Sequence, residues 1–236
     1  MSINTNKLRT LTAMGLGPVW QLRGRVTSVA HTELTAKFTE VTDGPEIASM
    51  DFDQLESAIK NCTRCRLCKG RTYAVPGNGN HKASWLFVGE APGQSEDNQG
   101  KPFIGPAGKL LENMMHALKL QRDADTYITN TVKCRPVGTD GHDREPAADE
   151  IAACRPYLAR EAALIKPKVI IALGKTSAVS LLESDAVMSE LREQSHQYDH
   201  VPLVVTYHPA YLLRSPLDKA RAWRDLCMAK SIVDAQ

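Results

Sequence analysis

The sequence predicts an α/β fold, a doubly wound domain around a mainly parallel four-stranded sheet, and three observations predict it. Four apolar runs of strand length, "WLFVG" (85–89), "TYITNTV" (126–132), "KVIIALG" (168–174) and "LVVTY" (203–207), have the Val- and Ile-rich character of strands covered on both faces. Amphipathic stretches at about 107–120, 147–165 and 175–183 lie between them and read as helices. The first run empties into a long loop, "GEAPGQSEDNQGKPFIGPAGKLL" (89–111), whose glycines and prolines postpone helix until Pro106, a residue suited to a first helical turn.

Composition frames those elements. Of 236 residues, 42% are hydrophobic and 24% charged, the balance of a globular chain able to bury a core in one large or two small domains. No run approaches the roughly 18 apolar residues that span a bilayer, and "MSINTNKLRT" lacks the features of a secretory signal, so a cytoplasmic location is expected. The net charge of +2 does not announce a nucleic-acid partner. Positive charge nevertheless gathers in "RCRLCKGR" (64–71) and in Arg214, Lys219, Arg221 and Arg224.

In chain order, residues 1–50 show no sustained period, and "TDGPE" (42–46) reads as a linker, so a compact domain over 51–236 is expected after an N-terminal extension. Cysteines stand at Cys62, Cys65, Cys68, Cys134, Cys154 and Cys227. In a reducing compartment disulfides are rare, and metal or cluster ligation is the first reading; the spacing admits zinc or an iron–sulfur cluster. Because ligands of doubly wound sheets bind beyond the carboxyl ends of the strands, Gly89 to Gly105, Asn130 to Cys134 and Tyr207 to Arg214 are placed on one rim. The stretch 184–202 carries no readable pattern.

The 89–111 loop, "YITNTVKCRP" (127–136) with "CRPYL" (154–158), "KVIIALG", and "HPAYLLRSP" (208–216) followed by "WRDL" (223–226) together resemble the family 4 uracil-DNA glycosylases over roughly residues 55–230. The resemblance implies an α/β/α fold with a 4Fe-4S cluster at its periphery, and removal of uracil from DNA by hydrolysis of the N-glycosidic bond. It implies that Cys62, Cys65, Cys134 and Cys154 hold the cluster, with no ligand at Cys68. Cys227 is expected to pack as a small apolar residue in the last helix.

The same resemblance implies the site. An enzyme acting on a base must flip it out of the stack. Glycines in the 89–105 loop are expected to let main chain approach DNA closely. Phe103 matches the residue on which uracil stacks, and Ala91 falls among the substrate-binding positions. The Asn130 amide offers one donor and one acceptor, complementary to O4 and N3–H of uracil and mismatched to cytosine. His208 is placed to donate to uracil O2, where negative charge develops as the bond breaks. Glu90 matches the glutamate that orients or activates water beside an oxocarbenium-like sugar. Glu96 matches a second pocket glutamate near the uracil C5 edge, and Asp97 reads as a turn cap.

Two departures matter. After Cys134 the family pattern expects an asparagine in a shorter loop, whereas this chain reads "CRPVGTDGHDREP" with Asp143 in that slot and His142 beside it. A related class carries there a histidine that bonds covalently to the DNA sugar, which keeps a DNA-crosslinking relative as one alternative. A non-catalytic cluster-bearing nucleic-acid binder is the other. The second departure is "LTAMGLGPVWQLRG" (11–24), which is similar to the N-terminal peptide of the psi subunit of the bacterial clamp loader. It reads either as a partner-binding arm or as an amphipathic arm packed on its own domain.

Overall fold

The computed structural model describes residues 46–184 and 186–236; the expectations for residues 1–45 lie outside the described residues. The sheet contains β1 (Asn78–Gly79), β2 (Trp85–Gly89), β3 (Thr126–Asn130), β4 (Val169–Leu173), β5 (Ser195–Tyr198) and β6 (Val201–Thr206), in the spatial order β1, β3, β2, β4, β6, β5. The central four strands run parallel and coincide with the four apolar runs. The expected four-stranded sheet is corrected to six strands, because β1 and β5 pair antiparallel at the two edges. Neither edge strand announces itself. β1 has two residues, and β5, "SHQY", is half exposed and polar, while its turn to β6 places Asp199 and His200 at positive φ without a glycine to mark it.

Helices α1 (Phe52–Lys60), α2 (Gln94–Gln99), α3 (Pro106–Ala117), α4 (Ala148–Ile165), α5 (Lys175–Leu182), α6 (Met188–Leu191), α7 (Pro209–Arg214) and α8 (Lys219–Asp234) complete the described fold. Strand alternation divides the core. Leu86, Val88, Ile170, Ala172, Leu203 and Val205 pack with Leu158, Ala162 and Ile165 of α4 and with Ala178 and Leu181 of α5. Phe87, Ile171, Leu173 and Val204 pack with Leu111 and Met115 of α3 and with Leu226 and Ala229 of α8. The result is the three-layer α/β/α sandwich. A third cluster joins Leu55 and Ile59 of α1 to Leu67, Val132, Cys134, Cys154 and Tyr157. Helix α1 opens on a reciprocal cap, in which Asp51 Oδ1 accepts from Gln54 N at 2.9 Å and Gln54 Oε1 accepts from Asp51 N at 3.0 Å.

Cys227 departs from expectation: it is exposed, because the buried stripe of α8 runs through Ala222, Asp225, Leu226 and Ala229. No helix among the described residues is long and apolar enough to cross a membrane.

Two buried ion pairs anchor the rim. Arg192 donates to both oxygens of Asp225 at 2.9 Å, and Thr206 Oγ1 donates to the same carboxylate at 2.7 Å, tying the end of β6 to α8. Lys133 Nζ lies 2.6 Å from Glu161 Oε2 and also donates to Thr129 Oγ1 and to the Asn130 carbonyl. Glu161 Oε1 accepts from Gly77 N at 2.9 Å, so both charges are fully engaged with almost no solvent access. Replacing Lys133 by Met should strand a buried carboxylate and lower the unfolding free energy by about 3–5 kcal/mol, read from urea-unfolding midpoints. A Lys133→Met/Glu161→Leu double variant should recover part of that loss, since the stranded charge is removed.

Candidate active site

The site begins where β2 ends. Gly89 pairs in register with Asn130 at the end of β3. A Cβ on Gly89 would sit 2.4 Å from Asn130 Oδ1 and 2.5 Å from Phe103 Cζ, so the position admits no side chain. Beyond it, α2 closes on Gly100 at φ +67. Glu96 holds this loop shut: Oε1 accepts from Ile104 N at 3.0 Å and Gly105 N at 2.9 Å, and Oε2 accepts from Gly93 N at 3.2 Å. Asp97 is buried and accepts from Thr72 N, a tie to another segment in place of the expected turn cap. Of the loop's acidic residues, Glu96 serves the loop's own closure, whereas Asp97 ties it to the Thr72 segment.

Phe103 sits at φ +54, a backbone region that costs a non-glycine residue about 1–3 kcal/mol. Its surroundings impose that conformation. Arg122 donates to the carbonyls of Phe103 and Pro102, and Gly108 leaves the space that a Cβ would take 1.9 Å from Phe103 O.

Glu90, Ala91, Glu96, Phe103, Asn130 and His208 line one cavity of about 190 Å³, together with Asp143, Arg144 and Ala210. That is smaller than the roughly 300–1,000 Å³ of sites for drug-sized ligands. Asn130 is 1% exposed, and its Oδ1 has no hydrogen-bond partner among the described residues. An unpaired buried amide oxygen costs about 1–3 kcal/mol until a ligand N–H meets it. The Phe103 and His208 rings are 5.7 Å apart between centroids and tilted by 37°.

His208 caps α7, and its Nδ1 accepts from Ala210 N at 3.2 Å. An accepting Nδ1 leaves the neutral imidazole with its proton on Nε2. Burial, followed by the positive charge of Arg214, lowers the His208 pKa to about 4, so the ring is neutral at pH 7. Glu90 is shifted the other way: burial raises its pKa, against a hydrogen bond from Thr176 Oγ1 that favours the anion. Thr176 stands in the first turn of α5, after Gly174 at φ +90, whose added Cβ would lie 3.0 Å from that of His208.

The altered loop folds as a small hairpin, with Val137 bridged to Asp143 and Gly138 N donating to His142 O at 2.8 Å. Asp143 reaches the cavity and pairs with Arg135 at 2.6 Å. His142 is exposed and is not among the residues lining the cavity. Arg144 also lines the cavity while pairing with Glu150, which Arg66 approaches at 2.7 Å from the thiol-bearing loop. The Arg144 hydrogen bonds hold the Glu150 pKa down at about 2.

Cys62, Cys65, Cys68, Cys134 and Cys154 face a second, narrow cavity with Arg71, Lys133 and Tyr157. Three donors point at sulfur: Arg71 Nη1 to Cys134 at 3.0 Å, Lys133 N to Cys154 at 3.3 Å and Arg64 N to Cys62 at 3.5 Å. Among the described residues no group of three or more His, Cys, Asp or Glu side chains is gathered tightly enough for a single metal ion.

Sequence reasoning missed Thr176, Arg122 and Arg144. The turn "LGKTS" after a buried strand is a rim signal of the same kind as the others and could have yielded Thr176. Nothing in the sequence connects Arg122 to the carbonyls it holds.

Comparison with known proteins agrees with this architecture. Residues 76–228 match the family model described as the uracil DNA glycosylase superfamily. The type-4 uracil-DNA glycosylase of Pyrobaculum aerophilum is 42% identical over 187 residues, covering 76% of this chain and 93% of the relative. That of Sulfurisphaera tokodaii is 42% identical over 174 residues, covering 70% and 77%. A type-5 uracil-DNA glycosylase of Pyrobaculum aerophilum is 27% identical over 201 residues, covering 68% and 83%. The extent of these matches, spanning the sheet, the base-sized cavity and the thiol-bearing loops, shows that the chain belongs to the uracil-DNA glycosylase superfamily and, within it, to the type-4 enzymes.

Proposed function

We propose that this chain is a DNA-repair hydrolase that receives a uracil flipped out of DNA and cleaves its N-glycosidic bond, releasing uracil and leaving an abasic site. The observation that carries the reading is the unpartnered, buried amide oxygen of Asn130 beside the aromatic ring of Phe103 in a cavity of about 190 Å³. In this reading the amide meets N3–H and O4 of uracil, and the Phe103 ring takes the base face, a contact worth roughly 1–3 kcal/mol. Ala91 contributes cavity wall. Glu96 acts through the loop it clips, since its oxygens already accept three backbone N–H groups.

The chemical step follows from the two shifted groups. The departing uracil gathers negative charge at O2, where the Nε2–H of neutral His208 donates a hydrogen bond that strengthens as charge develops. The sugar gathers positive charge, and the Glu90 carboxylate, aimed by Thr176, stabilises it while accepting a proton from the attacking water. Cys62, Cys65, Cys134 and Cys154 would hold a 4Fe-4S cluster: the four thiols border one space, and N–H donors directed at sulfur suit thiolates that share charge with a cluster. Bound there, such a cluster would tie the 62–71 segment to the 134–154 segment through its cysteine ligands. The N-terminal extension is assigned the recruitment of a replication partner such as the clamp loader, with Trp20 and the neighbouring Leu16, Val19, Leu22, Arg23 and Arg25 as its anchor; at the end of the expected 1–50 span, Met50 is already buried in the third core cluster and its carbonyl accepts from Arg160 Nε at 2.6 Å.

A uracil-containing oligonucleotide tests the activity: free uracil and alkali-labile sites are expected, with no DNA adduct on denaturing gels. Binding without product would overturn it. His208→Ala should slow single-turnover release by about 10²–10³-fold. The rate should fall as pH drops through the raised Glu90 pKa, because the working carboxylate is the anion. His208 stays neutral down to about pH 4 and should not produce that limb; Glu90→Gln should abolish it. A His208→Ala variant as fast as the parent removes that residue from the mechanism.

Iron and acid-labile sulfide should co-purify in equal amounts, and Cys134→Ser should lose both, while Cys68→Ser and Cys227→Ser keep them. Bound zinc without sulfide would replace the cluster assignment.

Deleting residues 1–45 should leave oligonucleotide cleavage nearly unchanged and abolish co-purification with clamp-loader subunits. An insoluble or inactive truncation would place the arm within the fold and end the recruitment idea.

A further inference from the structure

A second open cavity, of about 680 Å³, lies at the other end of α2. Helix α2 contributes Glu96, with its N-cap Gly93, to the base cavity and Gln99, with the adjoining Gly100 and Lys101, to this one. Lys101 is two residues from Phe103, so the two sites are no more than about 7 Å apart along the chain. Three cations reach the groove: Lys60, Arg71 and Lys101. Lys60 is paired with Glu56 at 2.6 Å, and Arg71 donates to Cys134 and to the Lys60 carbonyl; Lys101 is exposed and pairs with no acid among the described residues.

Tyr73 is the unusual feature of this groove. It is 57% exposed, although its main chain is fixed: Tyr73 N donates to Asp97 O at 3.2 Å, and neighbouring Thr72 N donates to the buried Asp97 carboxylate. Gly100 at φ +67, a backbone conformation that favours glycine, ends α2 beside Tyr73, with the position of its absent Cβ in van der Waals range of Tyr73 Cβ at 3.6 Å. An aromatic ring held out to solvent on a rigid mount, beside unneutralised positive charge, is the combination that receives unpaired bases of a single strand.

We infer that this groove binds the DNA strand flanking the uracil, with Tyr73 stacked on an unpaired base and Lys101 against a phosphate. The inference rests on the glycosylase reading for the identity of the flipped base, and on the groove itself for the flanking strand. Helix α2 then serves both sites, with Glu96 closing the loop around the base and Asp97 mounting the stacking ring.

The test is fluorescence anisotropy of the full chain with a uracil-free single-stranded oligonucleotide, alongside single-turnover release from a uracil-containing single strand. Tyr73→Ala should weaken single-strand binding about tenfold, and Tyr73→Phe should bind nearly as the parent does, since the ring does the stacking. Lys101→Gln should lower the slope of log affinity against log salt by about 0.7, the share of one phosphate contact on a single strand. In the cleavage assay the Tyr73→Ala loss should fall on the half-saturating DNA concentration and vanish when the strand is truncated beside the uracil on one side. Equal binding by Tyr73→Ala and parent, or a loss confined to the saturating rate, overturns the inference. If the parent releases no uracil, the glycosylase reading fails by itself, and the anisotropy arm still decides the groove.

Discussion

The Lys133–Glu161 ion pair is the constraint on which the rest of the site depends. Two charges with almost no solvent access can persist only where each is paired and hydrogen-bonded, so the surrounding chain is committed to one arrangement. Lys133 Nζ holds the Asn130 carbonyl and Thr129 Oγ1, fixing the end of β3 that carries the orphaned amide. The Lys133 main chain donates to Cys154 Sγ and accepts from Val75 N at 2.7 Å. Its partner Glu161 receives Gly77 N from the segment leading to β1. One residue therefore couples the base cavity, the thiol-lined cavity and the loop that carries Tyr73.

Burial does two opposite things within the base cavity. It lowers the pKa of His208 and raises that of Glu90, because each group is pushed toward its neutral form. The consequences for the proposed chemistry differ. A neutral imidazole with its proton on Nε2 remains a donor, whereas a carboxylate must be ionised to act as anion and base, and the Thr176 hydroxyl opposes its burial. The dipoles are in place before any substrate arrives, which is the condition for stabilising charge that exists only in the transition state. The positive φ of Phe103 has the same character: Arg122 and Gly108 hold the ring in a conformation it would not choose.

The periphery is organised by ion pairs. Glu150 receives Arg144 from the cavity rim and Arg66 from the thiol loop, while also accepting the Ala147 N–H at the start of α4. In the proposed cluster-bearing protein the 62–71 and 134–154 segments are thus joined twice, by thiolates and by this carboxylate. The N–H donors at three of the sulfurs are supplied by the polypeptide itself.

By itself the sequence determined the parallel centre of the sheet, the helices that cover it and the rim on which the motifs converge. Those features rest on local rules: Val- and Ile-rich runs at Trp85–Gly89 and Val169–Leu173, and Pro106 at a first helical turn. Tertiary structure decided what has no local signal. The edge strands were hidden because β5 is polar and turns at Asp199 and His200, where only the hairpin's own twist requires positive φ. Cys227 was turned outward by the phase of the α8 stripe. His142 and Asp143 are adjacent in sequence and both exposed, yet in the hairpin between Val137 and Asp143 only Asp143 borders the cavity. Glu96 and Asp97 found backbone partners 8 and 25 residues away, and Arg122 reached Phe103 across 19. Such contacts depend on where the folded chain places a donor in space, and residue type and spacing carry no record of that.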